Sequence, residues 1–139
     1  MIGVVLVSHG DLAPEALASI ESVLGHRVPA MVAVSAADDD TLESLRRRLT
    51  EAVRAVEQGD GTLILTDMYG DSASNVSLSL AERGRFEVVT GVNLPVVLKV
   101  VSARETMGLE QLADFLVDYG RAHLLRVSPH ERRRRRGNG

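Results

Sequence analysis

Residues 2–10 read Ile2-Gly3-Val4-Val5-Leu6-Val7-Ser8-His9-Gly10. Ile2 to Val7 is an unbroken apolar run rich in β-branched side chains. A strand with one wet face would alternate, so this one reads as a strand buried on both faces. Behind it, Pro14 suits the first turn of a helix, and Leu17, Ile20, Val23 and Leu24 form an apolar stripe that Gly25 brings to an end.

Outward from this βα unit the alternation continues. Ala30 to Val34 reads as a second strand. Asp38 to Asp40 supply a turn and an N-cap, with acidic charge at the positive end of the next helix dipole. Leu42, Leu45, Leu49, Val53 and Val56 mark a helix over residues 41–57, closed by the turn Gln58-Gly59-Asp60-Gly61. Thr62 to Thr66 is a third strand ending at Asp67. A loop over 68–74 leads to a helix reaching Glu82, and Arg83-Gly84-Arg85 turns the chain into a fourth strand over 86–90. Gly91 to Pro95 is a loop, followed by helices to Arg104 and over 109–123. Leu124 to Val127 has the composition of a short terminal strand.

This order predicts an α/β fold: an open, doubly wound, mostly parallel sheet of four strands with helices on both faces. The domain is expected to span residues 1–128. Residues 129–139, with Arg132 to Arg136, read as a basic, disordered tail.

Right-handed crossovers bring the carboxyl ends of all parallel strands to one sheet edge, where ligands of such sheets bind. Ser8-His9-Gly10-Asp11, the Asp67-to-Ser72 loop and Gly91-to-Pro95 all leave that edge. Strands 1 and 3 are commonly neighbours in a doubly wound sheet, so His9 and Asp67 are expected to meet across 58 positions. A neutral imidazole nitrogen can attack phosphorus only if the proton sits on the other nitrogen. A carboxylate on that other nitrogen would fix the tautomer and steady the developing charge. Gly10 permits a sharp turn, and Ser72 lies near a helix N-terminus that favours an anion. Each residue also has a plainer role: His9 as a loop histidine, Asp67 and Ser72 as helix caps, Asp38 to Asp40 as turn chemistry.

Composition removes several classes. The chain of 139 residues has no cysteine, so disulfides, thiolate zinc sites and thiol nucleophiles are excluded. His26, His123 and His130 offer no metal-ligand spacing, so no metal is expected. No Walker motif appears, and no cofactor is implied. The net charge is -3, and without the five arginines of the tail it becomes -8. Such an acidic body repels nucleic acid. No stretch has the roughly 18 apolar residues that span a bilayer, and no secretory signal is present, so the expected location is cytoplasmic.

Three strings now point to a family. Val5-Leu6-Val7-Ser8-His9-Gly10, Leu65-Thr66-Asp67-Met68-Tyr69-Gly70-Asp71-Ser72-Ala73-Ser74-Asn75 and Thr90-Gly91-Val92-Asn93-Leu94-Pro95 fall in the order and spacing of mannose-type IIA components of sugar phosphotransferase systems. The sequence resembles that family from residue 1 to about 125. The resemblance implies that His9 carries a phosphoryl group, taken from phospho-HPr and passed to a IIB component. It implies that Asp67 partners the histidine, and that the loop of Tyr69, Gly70, Asp71 and Ser72 surrounds the phosphate; Ser8 and Gly10, flanking His9, are expected to bind the phosphate with them. It also implies a homodimer that exchanges its C-terminal strand, and contact with the membrane only indirectly, through permease subunits. The chain departs from the family at Asp71, where a second glycine is usual, and at Ala73, often a proline. A negative side chain at 71 opposes an arriving phosphate unless it points outward. The phosphotransfer subunit of dihydroxyacetone kinase is a related resemblance, but Gly91-Val92-Asn93-Leu94-Pro95 fits the mannose type better.

Two other readings of the same residues stay open. One is a regulatory protein whose binding to a target depends on the phosphorylation of His9. The other is a non-catalytic anion-binding module.

Overall fold

The computed structural model describes residues 1–68, 70, 72–81 and 84–128. Its elements in chain order are β1 (Gly3–His9), α1 (Leu12–Leu24), β2 (Met31–Ala36), α2 (Leu42–Val56), β3 (Thr62–Thr66), α3 (Ser72–Leu80), β4 (Phe86–Val89), α4 (Leu94–Ala103) and α5 (Leu109–Ala122). The four strands form one sheet in the order β2-β1-β3-β4, and every pairing is parallel. The α/β, doubly wound expectation therefore holds.

β1 and β3 occupy the middle of the sheet, which is why their sequences are continuous rather than alternating. Val4 and Leu6 of β1 join Leu63 and Leu65 of β3 in a core completed by α1, α4 and α5. Val5, Val7 and Ile64 point to the opposite face and meet Leu45, Leu49, Val53 and Val56 of α2 and Ala73 and Val76 of α3. Successive strand residues thus feed two cores, one on each face. The edge strands are less covered, and only Val89 of β4 is buried. Of the two predicted helical stripes, Ile20 is buried while Val23 is exposed. Leu42 is likewise exposed at the start of α2.

β1 approaches α2 closely. A Cβ on Gly3 would lie 2.5 Å from the Val56 carbonyl oxygen, so any side chain here forces the end of α2 to shift. At the same end of the sheet, Arg104 is buried, only 4% exposed. It donates to the carbonyls of Ile2, Ala30 and Pro29. Burial lowers its pKa from the ordinary value. Ala30 has a left-handed φ of 51°, so β2 starts at Met31 rather than at Ala30. Thr41 and Asn93 cap α2 and α4, accepting from the N–H groups of Ser44 and Val96.

One expectation fails within the protomer. Leu124 to Val127 form no strand. They follow α5 without regular structure, with Leu124 and Val127 exposed. They pair with none of the four described strands. Residues 129–139, including the basic run, lie outside the described residues, as do Tyr69, Asp71, Glu82 and Arg83.

Strand order reverses between β1 and β3. The chain leaves β1 through α1 on one face and β3 through α3 on the other. The two exits diverge and open a crevice at the carboxyl ends of the central strands.

Candidate functional site

His9 is the last residue of β1, and its neighbours are fixed by the ladder. Val7 pairs with Thr66, the last residue of β3. The His9 N–H still points toward that strand but finds no ladder carbonyl there. The Asp67 carboxylate takes that place, accepting the His9 N–H through Oδ2 at 2.9 Å. Its Oδ1 accepts the Met68 N–H at 2.9 Å. On the other side, the Gly10 N–H continues the ladder to the Ala36 carbonyl of β2. Gly10 turns there with φ of 60°.

His9 and Asp67 therefore adjoin, but not as the sequence suggests. Asp67 makes no hydrogen bond to an imidazole nitrogen in this geometry; its two oxygens accept backbone N–H groups instead. The imidazole instead places Nε2 3.1 Å from Oδ1 of Asp38, in the β2–α2 loop. Asp38, read from sequence as turn chemistry, thus enters the site. A signal was available: β1 and β2 are parallel neighbours with His9 opposite Ala36, so residues just beyond Ala36 must lie beside His9.

That loop is held by Asp40, which accepts the Ala37 N–H, the Ser44 hydroxyl and the Arg48 guanidinium. The Ala37 N–H, with Ser44 and Arg48, keeps the Asp40 carboxyl below its ordinary pKa despite the opposing effect of partial burial. For Asp40 the turn reading is correct.

Ser8 has a different task from the one expected. It is 2% exposed, accepts the Ala13 N–H at 2.7 Å and donates to the Gly10 carbonyl at 3.1 Å. Both functions of its hydroxyl are committed to shaping the β1–α1 turn, where it caps α1 from outside the helix. Asp11, at the N-cap position, makes no side-chain cap bond.

A cavity of about 420 Å³ opens beside His9, lined by Asp38, Thr41, Leu42, Met68, Gly70 and Ser72 among others. Ser72 is the first residue of α3 and is exposed at this cavity. Gly70, with φ of 97°, donates its N–H to the Ser74 hydroxyl at 2.8 Å. The site thus combines an exposed imidazole, a hydroxyl and a helix N-terminus, a set suited to an anion. Tyr69 and Asp71 lie outside the described residues. A second, more apolar cavity of about 300 Å³ lies on the other face of the sheet edge, between α1 and α4. Among the described residues no group of three or more His, Asp or Glu side chains is placed to hold a metal ion. No described helix is long and apolar enough to cross a membrane.

The α/β fold of this chain, an open parallel sheet in the order 2-1-3-4, is shared with solved phosphotransferase-system IIA structures. The crystal structure of phosphotransferase system component EIIA from Streptococcus agalactiae superposes with a TM-score of 0.81 at 24% identity, covering 91% of this chain and 97% of that one. The sequence pattern of the PTS system fructose IIA component family matches residues 3–117, and the chain belongs to that family. The fructose-specific EIIA component of Bacillus subtilis is 30% identical over 117 residues, 84% of this chain and 80% of that protein. The sorbose-specific EIIA component of Lacticaseibacillus casei is 29% identical, covering 82% of each. The chain is therefore a component of a sugar phosphotransferase system.

Proposed function

We propose that this protein is a phosphohistidine carrier, which accepts a phosphoryl group from phospho-HPr on His9 and passes it to a IIB component. The observation that carries this reading is the placement of His9. It ends a central strand at the switch point, with its backbone pinned by Asp67 and its side chain 57% exposed beside a cavity into which α3 begins.

In the transfer, the lone pair of His9 Nε2 attacks phosphorus, and the donor imidazole leaves with the electron pair of the broken P–N bond. The protein's contribution is to position the nucleophile and stabilise the equatorial oxygens. Asp67 acts through the backbone, fixing where the end of β1 lies. The hydroxyl of Ser72 and the positive end of α3 supply favourable partners for the oxygens. His9 also faces the open end of the molecule, where Leu12, Leu42, Met68 and Leu94 are exposed apolar side chains suited to meeting a protein donor or acceptor.

The carrier is expected to act in the cytoplasm, reaching the membrane only through permease subunits. We also propose a homodimer, supported by the exposed apolar Leu124 and Val127. Incubation with phosphoenolpyruvate, enzyme I and HPr tests the reading. Wild-type chain should gain an acid-labile phosphate and His9→Ala none, whereas equal labelling of both would overturn it.

A further inference from the structure

The outer nitrogen of His9 faces an acid. Nε2 lies 3.1 Å from Asp38 Oδ1, close enough for the carboxylate charge to act directly on whatever Nε2 carries. A carboxylate at that distance stands where an incoming phosphoryl group must arrive and opposes its charge. The other described carboxylates around the imidazole are engaged elsewhere. Asp40 is held by Arg48, Ser44 and the Ala37 N–H. Asp67 is held by two backbone N–H groups, and Asp11 accepts the Ser35 hydroxyl. Asp38 alone among these addresses the ring, and its side chain is 90% exposed. Asp40 fixes the loop, so Asp38 can rotate away without the loop moving.

We propose that Asp38 is a charge gate on His9, a positioning residue that opposes phosphoryl capture and favours phosphoryl release. This rests on the carrier reading above. Before transfer the carboxylate must turn away from Nε2 to admit the phosphoryl group. The P–N bond of the donor then breaks as the P–N bond to Nε2 forms, the donor nitrogen keeping the electron pair. Once the phosphoryl group is in place, the same carboxylate repels it, which lowers the stability of the loaded form. The balance of capture and release is thus set by a side chain outside the strand ends.

The full chain, with the phosphoenolpyruvate, enzyme I and HPr relay, supplies the test. Asp38→Asn should shift the exchange equilibrium with phospho-HPr toward the loaded form by about three- to tenfold, an exposed charge pair at this distance being modest in strength. High salt should shrink that difference. Asp38→Glu should retain wild-type behaviour. Asp39→Asn, the same change in net charge one residue away, should leave the equilibrium unmoved. If Asp38→Asn matches Asp39→Asn, or if Asp38→Glu matches Asp38→Asn, the gate is overturned while the carrier reading stands. A wild-type chain that takes no label overturns both.

Discussion

The Asp67 carboxylate accepts the main-chain N–H of His9, not its imidazole, at 2.9 Å. It stands where the next carbonyl of β3 would have been had the strand continued past Thr66. With the Met68 N–H on its other oxygen, it ties the exits of the two central strands together. The acid works as a brace for the backbone that carries the histidine.

Removing this brace should cost both stability and transfer. Asp67→Ala leaves two backbone donors without their acceptor, and a loss of about 1–2 kcal/mol is expected from urea unfolding. Initial labelling by phospho-HPr should fall about tenfold or more as the end of β1 loosens. Asp67→Asn retains one acceptor oxygen and should fall between the two. An Asp67→Ala variant with wild-type unfolding and labelling would contradict the brace.

Ser8 is expected to matter through structure. Ser8→Ala deletes a buried hydroxyl that caps α1 through the Ala13 N–H and restrains Gly10, at a cost of about 1–2 kcal/mol. Ser8→Thr keeps the hydroxyl and should recover part of the loss. Unfolding midpoints of the three proteins settle the matter, and an unchanged midpoint for Ser8→Ala would refute the cap.

Gly3 meets α2 with no room for a side chain. Gly3→Ala should destabilise the fold by about 1–3 kcal/mol, because its Cβ would press on the Val56 carbonyl and the helix end must shift. Thermal unfolding measures this. Since Gly3 lies at the opposite end of β1 from His9, labelling of the folded protein should persist.

Glu57 gives a pH signature. Partial burial acts to raise its pKa, but the Gly59 N–H, the Thr62 hydroxyl, the Gly61 N–H and the charge of Arg85 together hold it below the ordinary 4.5. A folded-state pKa below the unfolded one means that the unfolded chain takes up its proton first as pH falls. The stabilisation is therefore present above about pH 4.5 and is lost as pH drops through the lower folded value. Glu57→Gln should be less stable than wild type at pH 7, with the gap closing below pH 4. A gap that is constant with pH would argue against the linkage.

Much of the fold was legible because continuous apolar runs and helical spacing depend only on local sequence. The β3 strand was placed residue for residue at Thr62 to Thr66, and the core stripe of α2 at Leu45, Leu49, Val53 and Val56 is the one buried. The meeting of His9 and Asp67 followed from topology alone. What each carboxylate touches did not, because that depends on ladder register and on where loops land. Asp67 reached a backbone donor because β3 stops at Thr66, and Asp38 reached the imidazole because β2 runs beside β1. Ser8 was visible as a polar residue near the site, but its inward hydroxyl is set by how tightly the chain turns at Gly10. The terminal Leu124 to Val127 had strand composition without a partner strand in the protomer, a requirement that composition does not express.

The central claim is that His9 takes the phosphoryl group, and peptide mapping of the phosphorylated chain under alkaline quench tests it most directly. The account predicts phosphate on the peptide carrying His9, bound through Nε2, and none on those carrying His26, His123 or His130. Phosphate on any other histidine, or no incorporation from phospho-HPr at all, would contradict it.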